Sequence, residues 1–194
     1  MDGQRAVITG GKAFTFGHLH PLDLLHIAWT SKGLRKIVMS RSSATIWRRS
    51  LSTVEKLPDC LVGMNEPQYA RLMFDEICHF CDAGNAKHVI FLARLRCCKA
   101  CGLEKFESLS GLPEDVARPV FSITPYTRID WARGYMGGVK YYYIKEMHRL
   151  QAEYCRIRHP TLKSAWVSMK EQDFRAMEKF NANFWSPKEG SVGS

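Results

Sequence analysis

Five of the chain's seven cysteines fall within residues 78–101, CHFCDAGNAKHVIFLARLRCCKAC. Cys78, Cys81, Cys98 and Cys101 form C-x2-C-x16-C-x2-C. Each pair at that spacing offers two thiolates from one tight turn, which is the ligand set of a structural zinc site. Four protein thiolates fill a tetrahedral ion and leave no position for water or substrate, so the expected zinc is structural and not catalytic. A thioredoxin-like redox pair would need one Cys-x-x-Cys opening a helix within a βαβ pattern, which is absent here. Chance clustering of buried thiols is the blander alternative. Cys97 neighbours Cys98 on the opposite side of a strand, and Cys98 is assigned as the ligand because it alone makes the x2 spacing with Cys101. His79 and His88 are reserve nitrogen ligands, although a lone His beside a zinc turn is more often a surface residue. Cys60 and Cys155 read as small buried hydrophobes. Gly84 and Gly102, close to the pairs, predict positive-φ turns that aim backbone N–H groups at the sulfurs.

Seven is an odd number, and the opening MDGQRAVITGG has no basic segment leading into an apolar stretch. The expectation is an intracellular chain, cytoplasmic and/or nuclear, whose thiols stay reduced and are free to bind metal. The composition is that of a globular chain: 194 residues, 45% hydrophobic and 24% charged, with no apolar run near the ~20 residues of a membrane span. The net charge of +9 is uneven, because residues 1–57 hold nine Lys or Arg against three acids.

The elements that must position the cysteines follow from periodicity. Pro21 suits a first helical position and Asp23 its first turn. Leu24, Leu25, Ile27 and Ala28, then Leu34, Ile37 and Val38, give two short helices broken at Ser31 and Gly33. A third helix is expected over 44–51, with Ser42 or Ser43 as its cap and Ile46, Trp47 and Leu51 on its apolar face. Residues 58–77, with Pro58 and Pro67, read as a connector that turns helical from Glu66. Residues 78–106 are the four-cysteine zinc module, in which the alternation from Val89 to Arg96 predicts one strand between two turns and no core of its own. Pro113, Pro119, Pro125 and four glycines predict an irregular linker over 107–139, with at most a helical turn near Glu114. Tyr143, Met147, Leu150, Tyr154 and Ile157, and then Leu162, Trp166, Met169, Met177, Phe180 and Phe184, predict a self-packed helical hairpin over 140–185. A disordered tail over 186–194 completes a mainly α chain with a small β-containing zinc module.

The stretch FGHLHPLDLLHIAWTSKGLRKIVMSRSSATIWRRSL, residues 16–51, resembles an F-box of the type found in large sets in mushroom-forming fungi. Its landmarks are Leu19, Pro21, Asp23, Leu24, Leu25, Ser31, Leu34, Arg35, Trp47 and Leu51, followed in order by the connector NEPQYARLMFDEICHFC, the cysteine module and the helical tail. The Leu-Pro start and first helix of the full motif are replaced by MDGQRAVITGGKAFT, so residues 1–57 are expected to be a truncated, loosely packed F-box-like region. The resemblance implies binding to the Skp-type adaptor of a cullin-RING ubiquitin ligase. An exposed apolar patch of Pro21, Leu22, Leu25 and Ile27 would make that contact, unless these residues are the core of a small bundle. Lys32, Arg35, Lys36, Arg41, Arg48 and Arg49 form either a solvated face or a contact for an acidic partner.

No Gly-rich phosphate loop, activated nucleophile or carboxylate pair beside a His is present in the sequence, so no enzyme is expected. The reading is a non-catalytic substrate receptor that links an unknown target protein to the ligase. One alternative is a nucleic-acid-binding zinc protein, suggested by the basic front and by Trp131, Tyr135, Tyr141 and Tyr142 near Arg128 and Arg133. Another is an F-box relic that no longer binds the adaptor.

Overall fold

The structure is a computed structural model that describes residues 16–61, 63–112, 116–130 and 135–185. The expected tail at 186–194 and the opening residues 1–15 lie outside that description, as do Trp131 and Arg133.

Pro21 does open the first helix, α1 (Pro21–Thr30), and the His20 side chain accepts from the Leu22 N–H at its start. Ser31 then turns extended and ends α1, while its Oγ accepts from Leu34 N at 3.2 Å and so starts α2 (Lys32–Val38). Helix α3 (Ala44–Ser52) follows a single helical turn, Arg41–Ser43. Ser43 does not cap it as expected; its buried Oγ donates to the Ile37 carbonyl at 2.6 Å and fastens α2 to the start of α3.

The larger correction concerns residues 58–77. Asn65 and Gln68 form a reciprocal capping box that opens α4 (Glu66–Phe74). This helix is no connector: it buries Tyr69, Ala70 and Leu72 in one core with Leu24, Leu25, Ala28, Ile46 and Trp47. Trp47 is 1% exposed and donates from Nε1 to the Val38 carbonyl at 2.9 Å, and Tyr69 donates to the Pro58 carbonyl at 2.8 Å. Arg48 pairs with Glu66 at 2.8 Å across α3 and α4. The described part of 1–57 is therefore well packed, not loose, because α4 supplies the apolar face that α1 and α3 need. The chain divides into two compact units after Asp75.

The second unit begins with the cysteines. The expected single strand is two: β1 (His88–Ile90) and β2 (Leu95–Cys97) pair antiparallel, with His88 opposite Cys97 and Ile90 opposite Leu95. The reversal is a helical turn, Phe91–Ala93, closed by Arg94 at φ 52°. Helix α5 (Lys99–Lys105) follows, then β3 (Phe106–Ser108).

The expected irregular linker is structured where it is described. It holds α6 (Arg118–Ile123), with Pro119 in its first turn, β4 (Tyr126–Asp130), and most of β5 (Tyr135–Tyr143). Strand β5 lies between β3 and β4 in an antiparallel sheet, pairing Tyr143 with Phe106 and Tyr142 with Tyr126. The run of aromatic residues at 141–143 favours a strand, so the helix expected from 140 starts only at Ile144. Helices α7 (Ile144–Arg156) and α8 (Pro160–Trp185) complete the unit.

The expected seam along α7 is present, with Met147 and Leu150 buried and Tyr154 half-buried. The hairpin is not self-packed, however. Val120 and Ile123 of α6 form the core with Met147 and Leu150, and Trp166 of α8 is only packed against its edge. Leu162 and Met169, assigned to the α8 seam, are 62% and 51% exposed. Among the described residues of α8 the buried one is Phe174, and Phe180 meets Phe91 at 5.4 Å. The fold is mainly α with small antiparallel sheets. No helix among the described residues is long and apolar enough to cross a membrane.

Candidate metal centre

The reversal at Arg94 is what assembles the cysteines. A straight strand over 89–96 would separate the two pairs by about 3.3 Å per residue. The hairpin instead returns Cys98 to the neighbourhood of Cys81. His79 N donates to the Arg96 carbonyl at 2.9 Å, and Arg96 N donates to His79 Nδ1 at 3.3 Å, so the first cysteine turn lies alongside β2. The buried Arg96 also donates from Nη1 to the Ala86 carbonyl at 3.1 Å, which ties down the loop after Cys81.

Two turns of different kinds present the four sulfurs. Cys78 N bonds the Ala83 carbonyl at 2.8 Å and Asp82 N bonds the Cys78 carbonyl at 3.0 Å. The positive-φ positions in this loop are Asp82 (φ 55°) and Asn85 (φ 61°), not Gly84. Asp and Asn tolerate the left-handed region, so the glycine expected to make the turn is not required. Gly102 lies within α5 and likewise takes no positive φ. The second pair sits at a helix N-terminus: Cys98 is the N-cap of α5 and its Sγ accepts from Cys101 N at 3.5 Å. A thiolate there faces the positive end of the helix backbone.

The Sγ atoms of Cys78, Cys81, Cys98 and Cys101 all lie within 4.8 Å of one another, and those of Cys81 and Cys98 are 3.8 Å apart. Such a donor set is compatible with a metal ion. Neither His79 nor His88 belongs to the cluster. Cys97 is fully buried against the apolar core, and burial, with the nearby sulfurs, pushes its thiol up to about 12. Burial likewise raises the Cys78 thiol, but backbone N–H groups of Cys98, Phe80 and Cys81 outweigh it and bring Cys78 down to about 6. Cys101 is raised, by burial first and then by its hydrogen bonds to the other thiols, and Cys81 is raised as well. One ionised sulfur thus holds protons on its neighbours, and a cation would displace those protons.

The module is not a thin hairpin without a core. Cys78, Ala86, Ile90, Leu95, Cys97 and Cys101 pack with Phe106 of β3 and Ile129 of β4. Phe106 stacks on Tyr143 at 5.2 Å, and Phe80 meets the same ring at 5.9 Å. The sequence missed this shared core because Ile129 lies in the stretch read as linker and Tyr143 in the one read as helix.

The residues expected to contact an adaptor divide differently from expectation. Pro21 and Leu25 are buried in the first unit's core and offer no surface, while Leu22 and Ile27 are half-buried. The exposed apolar residue of α1 is Trp29, 42% exposed, with its ring 5.7 Å from that of His26. Of the cationic group, Arg48 pairs with Glu66, whereas Lys32, Arg35 and Lys36 of α2 and Arg41 of the helical turn that follows are exposed. No family model matches the chain, and no curated protein or solved structure does either.

Proposed function

We propose that this chain is a non-catalytic substrate receptor: the helical unit that resembles an F-box tethers it to a Skp-type adaptor, and the second unit, built around a structural zinc ion, holds a target protein. The observation that carries the reading is the four-cysteine cluster in a unit with its own core. A zinc–sulfur bond of about 2.3 Å at tetrahedral angles spaces its sulfurs about 3.8 Å apart, the separation of Cys81 and Cys98. Four thiolates favour zinc over harder cations and leave it no open position, so the ion would fix a surface and catalyse nothing. With Pro21 and Leu25 buried, the tether falls to Leu22, Ile27 and Trp29 beside the cations of α2.

The test is affinity purification of the full chain followed by identification of co-purifying proteins and by elemental analysis. Adaptor and cullin together with one zinc per chain are the expected result. Purification of Trp29→Ala should lose the adaptor and keep the zinc. Zinc without adaptor or cullin from the unaltered chain would overturn the receptor reading.

A second reading, nucleic-acid binding, is favoured by one cleft of the second unit. Arg118, Lys140 and Arg175 line it together with Phe121, Tyr126 and Tyr142, and Lys140 lies 4.0 Å from the centre of the Tyr126 ring. Cations interleaved with aromatic rings suit a stacked base and its phosphate. Glu171 and Glu178 line the same cleft, however, pairing with Arg175 and Tyr126, and weaken its field for a polyanion. RNA or DNA retained at low salt and lost steeply as salt rises would favour this reading over the first.

A further inference from the structure

Arg94 occupies a position where folding by itself favours another residue. It closes the reversal between β1 and β2 at φ 52°, the left-handed region in which Asn, Asp and Gly are preferred. Its side chain is half-buried, and its Nε is shielded from water without a hydrogen-bond partner among the described residues. A left-handed backbone at an Arg calls for a reason beyond folding, and the cavity that this residue lines offers one.

That side chain lines a cavity of about 310 Å³ in the second unit. Ile123, Pro125, Leu150, Phe174 and Met177 give it apolar walls. Two other cations line it, and both have acids beside them: Arg149 pairs with Glu146 and Glu153, and Lys170 lies 3.6 Å from Glu153. Arg94 has no such acid among the described residues. Two acids line the same cavity: Glu146, which Arg149 pairs, and the exposed Asp173, which has no ion pair among the described residues and repels a second negative group. The volume is at the low end of ligand sites, about 300 to 1,000 Å³, and admits one or two side chains.

We propose that this cavity recognises a single acidic group of a peptide, a carboxylate or a phosphate, with an apolar side chain next to it. The guanidinium of Arg94 takes the anion through its fork of N–H donors, and the neighbouring side chain enters the apolar part. The proposal rests on the receptor reading and names the class of target: peptides with one acid beside a hydrophobe, not polyacidic runs.

The test is amide-shift titration of the metal-loaded full chain with four acetylated dipeptides. Phe-Glu-amide offers a side-chain carboxylate, Phe-phosphoserine-amide a phosphate, Gly-Phe with a free C-terminus a terminal carboxylate, and Phe-Gln-amide no charge. At least one acidic probe should shift the amides of Leu92, Arg94, Ile123, Leu150 and Phe174, and bind about tenfold or more tightly than the Gln probe, as a charged hydrogen bond requires. The probe that binds best identifies the source of the anion. Arg94→Asn, which suits the left-handed backbone, should remove that tenfold advantage while leaving the Gln probe unchanged, and Asp173→Asn should tighten the acidic probes. Equal binding of acidic and neutral probes, an Arg94→Asn variant that binds like the original, or no shift with any probe at millimolar concentration would overturn the proposal. Adaptor co-purification is scored separately on the same variants. An adaptor retained without probe binding refutes the cavity alone, and probe binding without adaptor refutes the receptor reading alone.

Discussion

At Cys98 the chain passes from β2 into α5, so its sulfur caps a helix and faces three other sulfurs, while Cys97 one residue earlier points into the apolar core. The difference fixes which thiol can hold metal. Cys101→Ser should abolish stoichiometric metal, and Cys97→Ala should retain it; elemental analysis of both proteins decides the assignment, and the reverse pattern would transfer it to Cys97. The protonation of the cluster sets a pH dependence as well. The Cys81 and Cys101 thiols are raised, so binding a cation at neutral pH releases their protons, and affinity falls as pH falls. Cys78 is ionised above about 6, and below that value its proton must be displaced too. Competition with a metal indicator should show affinity declining with pH throughout the neutral range and more steeply below about pH 6. A flat profile would contradict the assigned thiols.

At the scale of elements, α7 and α8 were each legible as amphipathic, yet the surface that covers α7 was not. Periodicity marks which face is apolar and is silent on what lies against it. Helix α6, six residues long and placed within a Pro-rich stretch, is too short to show a period, and only Pro119 followed by Val120, Phe121 and Ile123 signals it. Leu150→Ala should therefore cost about 2 to 5 kcal/mol, because it empties the contact with Val120 and Ile123. Leu162→Ala, at an exposed site given to the seam by its spacing, should stay within about 0.5 kcal/mol. Denaturant unfolding of both variants checks the pair, and equal losses would restore the self-packed hairpin. Likewise β1 and β2 read as one strand because Ile90, Leu92 and Leu95 leave no glycine or proline to mark a reversal, and an Arg in the left-handed region is not a turn signal.

For the molecule as a whole, the boundary after Asp75 separates the core of α1 to α4 from a second unit with one cluster around the cysteines and another where α6 meets α7. A metal ion held by the four cysteines would constrain the second unit only, and a chelator would remove that constraint. Amide exchange of the full chain with chelator should accelerate over 78–106 and leave Leu24, Leu25, Trp47 and Leu72 as protected as before. Those residues owe their protection to α4, which the sequence showed turning helical from Glu66 and which the Asn65 and Gln68 capping box opens. Loss of protection in both units together would show that they unfold as one.

The sequence by itself singled out the four cysteines whose sulfurs come together, because the x2 spacing is a local property of a turn. It likewise located α1 to α4 and the two last helices, since caps, prolines and periodicity act within a few residues. Only the tertiary structure decided that α4 belongs to the first core, that β3 to β5 form a sheet completing the cysteine module, and that α6 covers α7. These are contacts between residues far apart in the chain, chosen by which apolar faces fit together after collapse, and no window of sequence contains both partners.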